Sequence, residues 1–309
     1  MSGTMRAAAI DEFGPAEVLR VREMPRPSAS SDGVLVRVLA AGVQLTDAAI
    51  RAGWRPPGAE IEFPQILGNE FAGVVEEVGS EVEGVCAGDE VAGFALLNCY
   101  AESVAVPASQ IVAKPAGVPW QVAGALSASG QTAHTAFEDL RIGADDVVLV
   151  CGAAGGVGTI FTQLAVRAGA TVIGTASQVN HAYLRSLGAV PITYGPGQAE
   201  RIRALGGRVD VVFDAAGHEN LRTAVDLVAD RDRIATIVDM ALALELGCRI
   251  VRSRRDAARL ADLMRRVTAG ELEVHVRRTY GLDEVAAAHR DVETGHGRGK
   301  VVLEIGQAR

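Results

Sequence analysis

The run VVLVCGAAGGVG, residues 147–158, changes character abruptly: an apolar stretch breaks into glycine and alanine. Val147, Val148, Leu149 and Val150 show no polar alternation, the pattern of a parallel strand buried on both faces. After the glycines, Thr159 and the run IFTQLAV (160–166) have the length and composition of a largely buried helix. Strand, side-chain-free turn and helix start, in that order, gather unpaired backbone N–H groups and the positive end of a helix dipole at one spot. Such a spot suits a pyrophosphate. Gly155 lets the backbone approach the phosphates, Gly156 and Val157 continue the turn, and Gly158 lets the helix pack close to the strand. Glycine spacing alone is weak support in a chain with 35 glycines in 309 residues. Here the strand-like TVIGT (171–175) closes a βαβ unit of about 30 residues, which is the length a dinucleotide site needs.

Outward from this turn the pattern alternates. Strands are expected near Val147, Thr171, Ala189, Val209, Arg233 and Arg249, with helices between them, giving a doubly wound parallel sheet of the Rossmann type in an α/β protein. Upstream, 117–142 reads as helical, beginning at Val118-Pro119-Trp120-Gln121. Residues 5–115 read as β-rich, with strand-like runs at 5–10, 18–23, 33–40, 72–78, 90–94 and 101–106 separated by Gly, Pro, Ser and Asp. One short helix interrupts them, capped at Thr46-Asp47 and ending near Arg51. Downstream, 256–267 is amphipathic, with Leu260, Leu263, Met264 and Val267 on one side and a solvated face carrying Arg259, Asp262, Arg265 and Arg266. A helix and then a strand fill 282–305. The expected nucleotide domain, 119–252, therefore interrupts another domain made of 1–118 and completed by 253–309.

A chain of 309 residues is long enough for two domains, each with its own core. A net charge of −8 gives no support for a nucleic-acid or anionic-membrane surface. No stretch approaches the ~20 apolar residues that span a bilayer, and none resembles a signal-peptide core, so a cytoplasmic protein is expected. Cys86, Cys99, Cys151 and Cys248 are scattered, without metal-binding spacing, and read as free thiols. His134 falls inside an expected helix and His218 after the turn of the fourth strand; both read as satisfied or exposed rather than catalytic.

Several longer words carry a resemblance: GVQLTDAAIRAG (42–53), FPQILGNEFAGVVEEVG (63–79), GDEVAGF (88–94), YAESVAVPA (100–108), SGQTAHTAF (129–137), the glycine turn, VDVVFDAAG (209–217) and AHRDVETGHGRGKVVLEI (288–305). In this order they resemble the medium-chain dehydrogenase/reductase superfamily, in particular its zinc-independent quinone oxidoreductase and enoyl reductase-like branch. The resemblance implies a GroES-like β-barrel catalytic domain beside the Rossmann domain, with the cofactor in the cleft between them. It also implies a homodimer through the sheet edge at Arg249-Ile250-Val251.

NAD-preferring sites carry an acid about 20 residues past the glycines to accept the ribose 2′-hydroxyl. After Gly158 no Asp or Glu appears until Glu200; the second strand ends instead in Thr175-Ala176-Ser177, followed by Gln178, Val179, Asn180 and His181. Hydroxyls and amides can donate to a 2′-phosphate that an acid would repel, so the pattern favours NADPH. By resemblance Ser177, Asn180 and Tyr194 line the 2′-phosphate pocket and Thr132 reaches the nicotinamide ribose. Where many relatives have a basic residue, His181 or Arg185 would have to serve.

Zinc-using relatives carry Cys and His where this chain has Gln44 and Asn69, and neutral amides are poor zinc ligands. No catalytic metal is expected. Without a Lewis acid, conjugate reduction is the easier chemistry: a hydride adds to the β-carbon of an enone or enoyl ester, charge spreads into an enolate and a proton follows at the α-carbon. Gln44 or Asn69 could donate to the carbonyl oxygen, or could instead tie the barrel loop together. Trp54 stands where many relatives have a tyrosine, and an indole N–H does not release a proton; it reads as an aromatic wall for a flat substrate or a plug at the mouth. Gln131 adds a polar group near the nicotinamide. The leading expectation is an NADPH-dependent reductase of quinones or α,β-unsaturated carbonyls acting on a small molecule. A specialised-metabolite enzyme on the same fold, reducing an imine or an unusual enone or performing cyclisation or elimination with little redox turnover, and a catalytically vestigial NADPH-binding sensor or structural protein remain open beside it.

Overall fold

The computed structural model describes residues 3–217 and 219–306. The chain begins with β1 (Thr4–Ile10), β2 (Arg20–Pro25), β3 (Gly33–Val43), α1 (Leu45–Arg51), β4 (Gln65–Ile66), β5 (Glu70–Val78), β6 (Glu90–Phe94), β7 (Ser103–Pro107), β8 (Ile111–Ala113), α2 (Trp120–Ala123) and α3 (Ser127–Asp139). It continues through β9 (Val147–Cys151), α4 (Gly156–Arg167), β10 (Thr171–Ala176), α5 (His181–Ser186), β11 (Val190–Thr193), α6 (Gln198–Ala204), β12 (Val211–Asp214), α7 (Asn220–Leu227), β13 (Ile234–Thr236), α8 (Met240–Leu246) and β14 (Arg249–Ile250). Next come α9 (Ala257–Thr268), β15 (Val276–Gly281), α10 (Val285–Glu293) and β16 (Lys300–Glu304).

Two units result, Met1–Ala128 with Arg255–Arg309, and Ser129–Arg254. The sequence placed the first boundary at 118/119, ten residues early. Residues 119–128 stay with the first unit because α2 lies on β3: the Gly42 N–H donates to the Gly124 carbonyl at 2.9 Å. At Gly124 even a methyl group would come within 2.7 Å of the Ala40 carbonyl oxygen.

In the Ser129–Arg254 unit six parallel strands lie in the order β11-β10-β9-β12-β13-β14. This is the 3-2-1-4-5-6 order of a dinucleotide-binding sheet, whose direction of growth reverses beside the first strand. The unbroken apolar runs of β9 and β12 are buried, and the Phe161 and Phe213 rings stack at 4.2 Å where α4 meets the sheet. β11 and β14 are its two edge strands.

The other unit is built on β3, eleven residues long, which pairs with β5, β7 and β16. A seven-stranded sheet holds these strands with β6, β8 and β15, and β1 pairs with β2 and β4 in a smaller one. Their shared core includes Ile10, Val36, Phe71, Tyr100 and Val301. Three strands lay outside the sequence expectation. β4 and β8 have two and three residues, too few for an alternation to register. β15 carries Arg277 and Arg278, is half-buried to exposed, and is held as a parallel edge strand by β16.

Helix α1 starts earlier than Thr46-Asp47: Gln44 is its N-cap, and Asp47 sits in the first turn with its carboxylate accepting the Gln44 backbone N–H at 2.9 Å. Helix α9 buries Leu260, Leu263 and Met264, and Asp256 caps it through the Arg259 N–H at 2.7 Å. Its arginines Arg265 and Arg266 pair with Asp262 on the outer face. Both lysines of the chain are buried. Lys114 pairs with Glu90 at 2.7 Å and lies over the Trp120 ring at 4.3 Å, and Lys300 pairs with Glu70 at 3.0 Å. Among the described residues no helix is long and apolar enough to cross a membrane.

Candidate functional site

The barrel-side site starts from two carboxylates that the fold has removed from water. Glu70 opens β5 and Asp47 lies in α1, and neither has measurable exposure. A buried carboxylate must be paired and hydrogen-bonded. For Glu70, Lys300 Nζ donates to Oε1 at 3.0 Å and the Ala128 N–H donates to Oε2 at 2.6 Å. The Gln44 side-chain amide donates to the same Oε1. Gly42 makes room for this arrangement, since a Cβ there would stand 2.0 Å from Glu70 Oε1.

Asp47 accepts three donors: the Gln44 backbone N–H, Asn69 Nδ2 at 2.9 Å and the Tyr100 hydroxyl at 2.6 Å. Burial still outweighs them and lifts its carboxyl to about 6. Tyr100 is pushed well above the usual phenol range by burial and by Asp47, and the Cys99 thiol is pushed up by burial. Arg255 Nη1 donates to the Asn69 carbonyl at 2.9 Å.

The two amides chosen from sequence, Gln44 and Asn69, thus belong to one network. Each spends an N–H on a buried carboxylate, and a primary amide has two. Gln44 is half-buried, whereas Asn69 is buried. Sequence reasoning passed over Glu70, Tyr100, Lys300 and Arg255. One signal was available: Glu70 and Lys300 are opposite charges at the head of two apolar runs, FAGVV and VVL, and such charges in a core need each other. Trp54 lies just past α1, its backbone N–H on the Ala49 carbonyl at 2.9 Å, and is 43% exposed. Near it Arg55 covers the Phe13 ring, which meets Phe63 edge-on at 5.1 Å. Among the described residues no group of three or more His, Cys, Asp or Glu could hold a metal ion.

In the other unit, the site is made from backbone. Gly152 adopts φ +76°, open to glycine without strain, and Gly155 is the N-cap of α4. Gly156, Val157 and Gly158 form the first turn of that helix. A Cβ on Gly158 would sit 2.2 Å from the Gly152 carbonyl oxygen, so only glycine permits this approach. Thr175, at the end of β10, steadies the turn: its hydroxyl accepts the Gly152 N–H and its carbonyl the Ala153 N–H, both at 3.1 Å. Beside it Asp214, in register with Cys151, gathers the N–H groups of Ala216 and Gly217, the Asn220 amide and the Thr236 hydroxyl at 2.8–3.2 Å. This knot fixes the loops that follow β12 and β13, and burial holds the Asp214 carboxyl above its usual value. The turn's free N–H groups and glycine-lined approach fit a dinucleotide pyrophosphate.

Farther along the strand ends, Asn180 Nδ2 donates to Ser177 Oγ at 3.1 Å. Ala176 is in register with Thr193, so Ser177 and Tyr194 leave the sheet side by side. Thr193 Oγ1 lies 3.5 Å from His181 Nε2, and Tyr194 is 46% exposed. Arg185 is exposed on α5. Arg201, which sequence reasoning passed over, holds the carbonyls of Thr193, Tyr194 and Gly195. Thr132 is half-buried on α3, one residue from the buried Gln131; on the same helix His134 faces Glu138 at 3.5 Å. His218 lies outside the described residues.

Residues 30–116 match the alcohol dehydrogenase GroES-like domain, and residues 187–303 match the family described as zinc-binding dehydrogenase. A quinone oxidoreductase of Pseudomonas aeruginosa is 30% identical over 94% of this chain and 97% of its own length. The NADPH-dependent alkenal/one oxidoreductase of Arabidopsis thaliana chloroplasts is 30% identical over 97% of this chain and 79% of its own. Among solved structures, the quinone oxidoreductase from Coxiella burnetii superposes with a TM-score of 0.88 at 31% identity, covering 98% of this chain and all of that one.

Proposed function

Because the chain belongs to the zinc-independent quinone oxidoreductase branch of the medium-chain dehydrogenase/reductase superfamily, we propose that it is an NADPH-dependent reductase of quinones or α,β-unsaturated carbonyls. The observation that carries this reading is the pair of amides, Gln44 and Asn69, each fixed on a buried carboxylate at the positions that zinc ligands hold in metal-using relatives. A fixed N–H donor can stabilise the oxygen of an enolate or of a hydroquinone anion without a Lewis acid.

NADPH, when bound, would supply a hydride for the substrate's β-carbon or quinone carbonyl carbon. The protein's own residues then have three tasks. Gln44, half-buried and held by Glu70, offers its second amide N–H to the substrate oxygen on which charge gathers. Asn69 and Tyr100 hold Asp47, which fixes the start of α1 and therefore Gln44. Trp54, exposed just past that helix, presents an aromatic face to a flat acceptor, and the proton comes from water. On the cofactor side, Gly155, Gly156, Val157 and Gly158 receive the pyrophosphate, Thr132 the nicotinamide ribose, and Ser177, Asn180 and Tyr194 the 2′-phosphate. A cytoplasmic homodimer paired along the outer edge of β14 belongs to the same reading.

The test is a titration of the purified protein with NADPH and, in parallel, NADH, followed by nicotinamide fluorescence, and then addition of a small panel of quinones and enones. Tight NADPH binding with oxidation by a panel member is the expected result. Tight binding with no oxidation by any member would reject the reductase in favour of an NADPH sensor or a specialised substrate.

A further inference from the structure

At the cofactor's expected 2′ end, the β10 side supplies no fixed charge. Ser177, Gln178, Val179 and Asn180 are all neutral. On the other side of the register, Arg201 is a cation held without an acid. Its Nε donates to the Thr193 carbonyl at 2.9 Å, and Nη2 donates to the Tyr194 carbonyl at 3.4 Å and the Gly195 carbonyl at 3.2 Å. The adjacent acid, Glu200, pairs with Arg203 at 3.5 Å instead. Among the described residues no carboxylate forms an ion pair with Arg201.

Three neutral carbonyls fix the guanidinium but leave its charge uncancelled. They also occupy only Nε and Nη2. Nη1 lies close to Gly197, where a Cβ would stand 3.0 Å from it and 3.8 Å from Glu200 Oε2, so the missing side chain leaves room beside it. A guanidinium is charged at every working pH, and Nη1 still has N–H groups to donate to a phosphate oxygen. The peptides it clamps include that of Tyr194, which leaves the sheet beside Ser177.

We propose that Arg201 determines the preference for the 2′-phosphorylated cofactor: anchored through Nε and Nη2 on the 193–195 loop, it pairs through Nη1 with the phosphate that Ser177 and Asn180 also bond. The proposal rests on the NADPH reading above. It assigns the positive charge to the β11–α6 side of the pocket rather than to His181 or Arg185.

The experiment measures dissociation constants of NADPH, NADH and the fragment 2′-AMP for the wild-type protein, Arg201→Gln and Arg201→Lys, at two salt concentrations. Loss of one charge-assisted phosphate contact predicts that Arg201→Gln weakens NADPH and 2′-AMP by about 10- to 100-fold. NADH should move by less than roughly twofold, Arg201→Lys should recover part of the loss, and the salt dependence of NADPH binding should shrink. Unchanged NADPH affinity in Arg201→Gln would overturn the assignment. Equal weakening of NADPH and NADH would overturn it too, because it would mean that Arg201 only holds the loop. A wild-type protein that binds NADH as tightly as NADPH would reject the cofactor reading itself, before any variant is made.

Discussion

Gly158 and Glu70 are both indispensable to their surroundings, for opposite reasons. Gly158 works through what it lacks: its missing side chain lets α4 approach to where a Cβ would be 2.2 Å from a backbone oxygen. Glu70 works through what it collects: an ammonium, an amide and a backbone N–H converge on one carboxylate with no exposure. The nucleotide-side site is therefore a conformation of one contiguous segment. The barrel-side site is an electrostatic balance among residues drawn from the whole of its unit. The first should resist changes of pH and charge and yield to a single methyl group. The second should tolerate changes of shape better than changes of charge.

The strongest way to break this contrast is to unbalance the charges. Lys300→Met strips Glu70 of its counter-charge and should cost about 3–5 kcal/mol, read as a drop in urea-unfolding stability at pH 7. Glu70→Gln combined with Lys300→Met should regain most of it. A single variant that loses less than about 1 kcal/mol would place this pair with the weak surface type.

A pH series is the next test. Asp47, raised from 3.8 to about 6, keeps a proton in the folded state that the unfolded chain has released. Its contribution to stability therefore falls as pH rises from about 4 to about 6, by about 3 kcal/mol in all. His289, buried beside Arg51 and lowered to about 3, works the other way. It stays neutral where the unfolded chain takes up a proton, so its contribution is lost as pH falls from 6.5 toward 3. The two slopes oppose each other in the wild type. Asp47→Asn should expose the histidine's slope, so that stability rises with pH between 4 and 6 more steeply than in the wild type. Identical slopes in the two proteins would mean that Asp47 is already ionised at pH 4.

The smallest of the three effects tests the backbone site. Gly158→Ala should weaken NADPH and NADH together by about 100-fold, near 2.7 kcal/mol, because helix and turn must part to admit the methyl group. This joint loss is the counterpart of the selective loss expected for Arg201→Gln. A Gly158→Ala protein with unchanged affinity for both nucleotides would show that the turn can relax at no cost.

The same contrast explains what could be read from sequence. The strands of the doubly wound sheet and the turn at 147–158 were legible because apolar strands, glycines and helix starts are local signals a few residues apart. In the barrel the longer strands were legible, but β15 was not: an edge strand that reads VRRTYG has no apolar alternation, and only β16 beside it makes it a strand. Gln44 and Asn69 were found through a resemblance, not through their partners. The sequence marks Asp47 as a cap, whereas in the fold it accepts from Gln44, Asn69 and Tyr100, and Lys300 is 230 residues from the carboxylate it balances. No periodicity spans such distances. Arg201 was hidden for a different reason, since its partners are backbone carbonyls, and any residue type offers those.

The burial of both lysines gives the molecule an unusual chemical surface. Lys114 is held by Glu90 and the face of Trp120, and Lys300 by Glu70, so the positive side chains facing solvent are guanidinium groups. Amine-acylating reagents should find neither ammonium while the barrel is closed. Acylation at each lysine then becomes a clock for opening of the strands around it, with Lys114 timing the end of β8 and Lys300 the start of β16, in a protein carrying no introduced label.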